Sequence, residues 1–267
     1  LFDAIFFADN QSFPASSKSD MPAFWFDPLV NLAAISQVTQ HVGLVATISS
    51  TFSNPFTAAR QLLSLDHMSQ GRAGWNLVTS MTDMEAANHS MDHLPEHEER
   101  YKKADEFAQV MNRLLESWSV DDFLHDKEDN KLINPSAINT INHEGEHFNV
   151  RGPLTTPSSP QGKPIAMQAG ASDPGIALAT KYADAVYAVA WNFNQASAFK
   201  NKLNQKLIQE GKPIDSLKVF PGLVTYVGQT YEEAYAKKQK LDESLEVDTA
   251  LNQLAFFIRQ NCHSWDL

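Results

Sequence analysis

His97 and Tyr101 stand four residues apart in HLPEHEERYKKADEF, just after Pro95, so a helix opening there puts both on one face. Upstream, GRAGWNLVTS reads as a short buried strand, Ala73 to Thr79, that delivers Asn76, Thr79 and Ser80 to its carboxyl end. Ligands of α/β proteins bind at such strand ends, so polar groups there, facing a His and a Tyr, describe a ligand site. Imidazole and phenol donate and accept hydrogen bonds without fixed charge. The plainer reading of His97 is a helix-capping residue. An unpaired buried amide costs about 1–3 kcal/mol, so Asn76 needs partners. A structural network would supply them as well as a ligand would.

Three further places carry chemistry. Asp9 ends the first apolar run in FFADN, and a carboxylate at the carboxyl end of a barrel strand serves a site, or else caps a turn. Thr47, Ser49, Ser50 and Thr51 form a hydroxyl cluster at the end of the second run, suited to neutral ligand atoms or to capping the helix near Pro55. QAGASDPG, residues 168–175, is a strand–turn–helix with small residues at the turn. Its backbone N–H groups and the positive end of the next helix suit one phosphate, with Ser172 in the turn. The turn lacks the Lys of a P-loop.

His89, His93 and His97 recur every four residues, the spacing of helical zinc ligands, but Pro95 interrupts the stretch and no H-E-x-x-H arrangement accompanies it. A metal-dependent barrel hydrolase built on them is the alternative enzyme reading; the reading adopted has no metal. There is no G-x-S-x-G elbow, no Ser/His/Asp set and no Lys at a strand end for Schiff-base chemistry. A cofactor is then the natural carrier of the reaction, and one phosphate site among neutral polar and aromatic groups points to a mononucleotide such as FMN.

The elements that must hold these residues alternate. Strands are expected at Phe2–Ala8, Val42–Ser49, Ala73–Thr79, Pro164–Ala169, Ala185–Ala190 and Leu217–Val227. Helices are expected at Leu29–Thr39, from Pro55 to a left-handed cap at Gly71, and at Glu96–Trp118. Three more are expected at Ile176–Tyr182, Gln195–Gln209 and Tyr231–Leu245. A polar stretch at about 121–163 breaks the rhythm and reads as an insertion with its own hairpin. Six βα units predict a parallel sheet with right-handed crossovers. No GxGxxG follows the first strand, so a (β/α)8 TIM barrel is expected, incomplete at about six of eight strands. We read residues 1–267 as a single barrel domain whose abrupt ends mark a fragment.

The net charge of −11 and the lack of a basic run argue against nucleic acid as partner. With 43% hydrophobic and 20% charged residues the composition is that of a globular protein, and no apolar run reaches the length of a membrane span. The single cysteine, Cys262, excludes an intramolecular disulfide and fits a reducing cytoplasm.

FDAIFFAD, VGLVATISSTF-NPF-AARQ, SLDHMSQGRAGWNLVTS, HEERYKKADEF, HEGEHFNVRGPL and QAGASDPG, in that order, resemble the bacterial-luciferase-like flavin monooxygenases. Within them the chain is most similar to the nitrilotriacetate, EDTA and dibenzothiophene-sulfone monooxygenase branch. The resemblance covers nearly the whole chain. It implies a TIM barrel that is the oxygenase component of a two-component system, with an NAD(P)H:flavin reductase supplying reduced FMN. Oxygen would react with that flavin to give a C4a-(hydro)peroxyflavin, which oxygenates a small organic compound containing nitrogen or sulfur. Carried over by motif, the flavin contacts are Asp9, Thr47, His97, Tyr101 and Ser172, with Asn76 lining the same pocket and His97 donating to the flavin or its adduct. A homodimer or higher homo-oligomer is expected. The family continues beyond both ends of this chain, so an inactive truncated paralogue is the remaining alternative.

Overall fold

Short apolar runs become parallel strands, and each is followed by a helix whose start is written in the sequence. The computed structural model describes residues 2–13, 25–128 and 130–258. These divide into two units, Leu1–Phe13 with Ala23–Gly222, and Pro14–Pro22 with Leu223–Leu267. The first unit begins with β1 (Ala4–Phe7), α1 (Pro28–Ser36), β2 (Gly43–Ser49), α2 (Pro55–Met68), β3 (Ala73–Val78), α3 (Asp83–Asn88) and α4 (His97–Leu115). Four short strands follow: β4 (Phe123–Asp126), β5 (Lys131–Ile133), β6 (His143–Glu144) and β7 (Asn149–Val150). Regular alternation resumes with β8 (Ile165–Gln168), α5 (Asp173–Tyr182), β9 (Ala185–Ala188), α6 (Phe193–Gln209) and β10 (Lys218–Pro221). The second unit contains α7 (Tyr231–Glu243) and α8 (Val247–Ile258).

The main sheet has the order β1-β2-β3-β8-β9-β10, and every pairing in it is parallel. Its strand order follows the chain without reversal. A doubly wound sheet reverses at a switch point, whereas a barrel winds on in one direction, so the six strands form an open part of a TIM barrel. The insertion stays outside this sheet as two antiparallel pairs, β4–β5 and β6–β7.

Alternation along the strands separates two faces. Leu44, Ala46 and Ile48 of β2, Ala73, Trp75 and Leu77 of β3, and Ala166 of β8 pack outward against Leu62 and Leu63 of α2 and Phe107 and Met111 of α4. On the other face Phe6, Val45, Met167 and Ala185 make a smaller cluster, and Phe6 stacks on Tyr187 at 5.9 Å between centroids. Thr47 and Asn76 share the parity of Val45 and so lie on this inner face.

Several elements differ from the sequence expectation. Gly71 was expected to cap α2, but Gln70 takes the left-handed position with φ 59°, and Gly71 follows with φ 81°. The Gln70 N–H bonds His67 O at 3.2 Å and the Gly71 N–H bonds Asp66 O at 2.9 Å, the pairing of a Schellman turn. Helix α3, absent from the expectation, begins in a capping box: Thr82 Oγ1 accepts the Glu85 N–H while Glu85 accepts the Thr82 N–H. The last strand ends at Pro221 rather than Val227, level with the end of its partner β9 at Ala188. Helix α8 continues past Leu245, where the sequence reading ended. Cys262 and residues 14–21 of the Gln11–Met21 loop lie outside the described residues. Among the described residues no helix is long and apolar enough to cross a membrane.

Candidate functional site

The strand register sets the site. Thr47 lies opposite Asn76, and Asn76 opposite Met167, so the ends of β2, β3 and β8 are level. Asn76 is 3% exposed and its Nδ2 donates to Thr47 Oγ1 at 3.1 Å. Its Oδ1 is buried and has no hydrogen-bond partner among the described residues. A buried amide carbonyl left unpaired costs about 1–3 kcal/mol, and this atom is free to accept from a bound molecule or a water. The rest of the hydroxyl cluster is structural. Ser50 and Thr51 donate to the carbonyls of Val78 and Thr79, and Ser49 bonds Ser80 at 2.8 Å, all tying the exits of β2 and β3 together. Asn54, not one of these hydroxyls, caps α2, accepting from the N–H groups of Phe56 and Thr57.

A second group gathers at the turn after β8. Ser172 is the N-cap of α5, and its hydroxyl accepts the Gly175 N–H at 3.3 Å and donates toward the Tyr101 hydroxyl at 3.5 Å. His97 packs on Tyr101 with ring centroids 4.8 Å apart and is exposed. Gly170 leaves room for the side-chain ends around it: a Cβ there would lie 2.5 Å from Gln168 Nε2 and 2.8 Å from the Tyr101 hydroxyl, so both would have to shift. The turn therefore brings Tyr101, Gln168 and Ser172 over an open backbone at the amino end of a helix, which is suited to an anionic group. Gln168 is 4% exposed and its Oε1, like Asn76 Oδ1, is buried with no hydrogen-bond partner among the described residues. The sequence shows this Gln in QAGAS, but only the packing reveals its unpaired acceptor.

Asp9, two residues beyond β1, stands with other partners. Its Oδ2 accepts from Gln11 Nε2 at 2.7 Å. Burial, with Asp27 and Glu85 adding like charge, pushes its carboxyl above the ordinary value of 3.8 against the Gln11 bond. Lys103, two residues past Tyr101, donates to Thr51 O at 2.8 Å and lies 5.6 Å from the Phe148 ring centroid. Burial holds its ammonium below the usual lysine value. It pins α4 to the exit of β2, a contact with no sequence signal.

The histidine series divides among unrelated tasks. His89 stacks on Phe52 and bonds Gln11, while His97 packs on Tyr101. Among the described residues the metal-capable side chains that converge are Glu99, Glu146 and His147, and His89 and His93 are not part of that group. Thus the structure joins Thr47 with Asn76, and His97 with Tyr101 and Ser172, and places Asp9 in a third set.

The sequence profile described as luciferase-like monooxygenase matches residues 2–261. Nitrilotriacetate monooxygenase component A of Aminobacter aminovorans is 40% identical over 234 residues, 88% of this chain and 52% of that protein. The solved EDTA monooxygenase from Chelativorans sp. BNC1 superposes with a TM-score of 0.80 at 34% identity, covering 92% of this chain and 59% of that one. A riboflavin lyase solved with modified FMN and riboflavin superposes with a TM-score of 0.89 at 28% identity, over 99% of this chain and 61% of that one. The chain spans about half the length of the curated relatives it matches. Motif order, parallel strand order and these likenesses agree: the chain belongs to the luciferase-like monooxygenase family.

Proposed function

We propose that the chain is the oxygenase component of a two-component FMN-dependent monooxygenase acting on a small organic compound with nitrogen or sulfur. The observation that carries this is the buried, unpaired Asn76 Oδ1 beside Thr47, in a family neighbour of proteins that handle flavin. Asn76 and Thr47 offer an acceptor and a hydroxyl to the polar edge of a flavin ring on the inner face. Ser172, Tyr101 and the start of α5 suit its single phosphate. Asp9 and His97 complete the polar surround, with His97 as hydrogen-bond donor toward the reacting atoms.

Bound reduced FMN would supply the two electrons that activate molecular oxygen for insertion of one atom into the substrate. The chain's own part is to bind, orient and exclude water, with the apolar inner-face residues Phe6, Val45 and Met167 available for the last. The word "component A" in the nitrilotriacetate relative's name supports a separate partner, which we take to be an NAD(P)H:flavin reductase. The same reading makes residues 1–267 part of one barrel domain with 121–163 as its insertion, cytoplasmic and assembled as a homo-oligomer. The test is turnover: the purified chain, a flavin reductase, NADH and FMN are offered amino-polycarboxylates, thioethers and sulfones. Substrate-dependent oxygen uptake with an oxygenated product is expected. Uptake that no substrate of these classes accelerates would overturn the substrate assignment.

A further inference from the structure

A hydrogen-bonded chain from Asp9 through Gln11 to His89 is used by none of the roles above. Gln11 Nε2 donates to Asp9 Oδ2 at 2.7 Å, and Gln11 Oε1 lies 2.5 Å from His89 Nε2. An ionised carboxylate only accepts, so the amide nitrogen must face Asp9. The amide oxygen then accepts, which requires the proton of His89 to sit on Nε2. The imidazole is held flat against Phe52, with centroids 4.3 Å apart and planes 5° from parallel. Gln11 is gripped at its backbone as well. Asn88 Nδ2 donates to Gln11 O at 2.8 Å, and the Gln11 N–H points at Glu85 Oε1 at 3.5 Å. Asn88 and Glu85 lie on α3, and His89 is its C-cap, so this short helix clamps the loop leaving β1.

We propose that Gln11 and His89 are positioning residues that hold Asp9 as an oriented anion at the carboxyl end of β1, for the flavin site; that purpose rests on the functional reading above. Among the described residues the charged groups that face Asp9 are Asp27 and Glu85, both acidic, while His89 reaches it through the amide. Burial and the two carboxylates favour the protonated acid; the Gln11 side chain and the Asn10 backbone favour the anion. Removing the amide donor leaves a half-buried carboxylate with less support. Removing His89 frees the amide to turn over and present its oxygen to Asp9, which repels the anion.

The experiment follows the Asp9 carboxyl itself, in flavin-free protein labelled with 13C at aspartate carboxyls, the Asp9 signal being assigned by its loss in Asp9→Asn. In Gln11→Leu and His89→Ala the Asp9 midpoint is expected to rise by about one pH unit, the scale of a lost charge-assisted hydrogen bond. His89→Gln keeps a donor and should restore at least half of that change. Gln11→Glu is nearly isosteric and keeps the fold while setting a second carboxylate against Asp9, so the pair should titrate in two well-separated steps. An Asp9 midpoint unchanged in Gln11→Leu, His89→Ala and Gln11→Glu would overturn the relay, whatever the outcome with flavin. A wild-type chain that shows the relay yet binds no FMN would overturn the functional reading alone.

Discussion

At the scale of single residues, Asn76 and His97 are opposite cases. Asn76 is buried with an unanswered acceptor at the level ends of β2 and β3, and its proposed role rests on that burial and place together. His97 is exposed, and its claim rests on position beside Tyr101 and on the family motif. Replacing an exposed side chain that makes no buried bond changes stability by no more than about 0.5 kcal/mol. We therefore expect His97→Ala to keep the wild-type melting temperature while lowering FMN-dependent turnover by roughly a hundredfold, the cost of removing a donor aimed at developing charge. Turnover equal to wild type in a folded His97→Ala protein would remove His97 from the reaction. The His97/Tyr101 pair was legible because helical spacing is local. The Thr47–Asn76 bond was not, because it depends on the register of two strands joined by α2.

Among elements, the least legible is the attachment of the insertion. Glu106 of α4 receives His143 Nε2 and the N–H groups of His147 and Phe148, each at 2.9 Å, and so holds the β6–β7 pair against the helix. Burial would raise this carboxyl, but the three hydrogen bonds outweigh it and keep the group below its ordinary value of 4.5. A depressed carboxyl stabilises the fold above its ordinary value and loses that contribution as pH falls from there through its lower folded value. Glu106→Gln should cost about 2 kcal/mol near neutrality, the range for hydrogen bonds to a buried charge. Denaturant unfolding should show that gap closing as pH drops below 4.5. A gap that stays constant from neutral pH to pH values below 4.5 would show that the charge is not what holds the hairpin. Motif HEGEHF announced a turn, but nothing in it points to Glu106, 37 residues before His143. Helix α3, by contrast, was written in Thr82-x-x-Glu85 and was missed because six residues are too few for a periodic pattern.

For the whole molecule, alternation of apolar runs and capped helices was enough to anticipate six parallel strands in a barrel, since each βα unit is a local pattern repeated. Which residues face inward depends on parity at every strand end, and strand ends are where local patterns are weakest. β10 is such a case: it ends at Pro221, level with the end of β9, although the apolar residues Leu223, Val224 and Val227 follow. The site is likewise a product of the assembly: Thr47 and Asn76 meet because β2 and β3 stand level. A leucine there would remove the unpaired carbonyl along with the bond to Thr47, so the two roughly offset and Asn76→Leu should stay within about 1 kcal/mol of wild type. The most direct measurement is an anaerobic titration of the purified chain with reduced FMN, followed by flavin fluorescence, in wild type and Asn76→Leu. One saturable site per chain is expected, weakened at least about tenfold, or about 1.4 kcal/mol, by the substitution. A folded wild-type chain without saturable binding, or an Asn76→Leu protein that binds as tightly as wild type, would contradict the account.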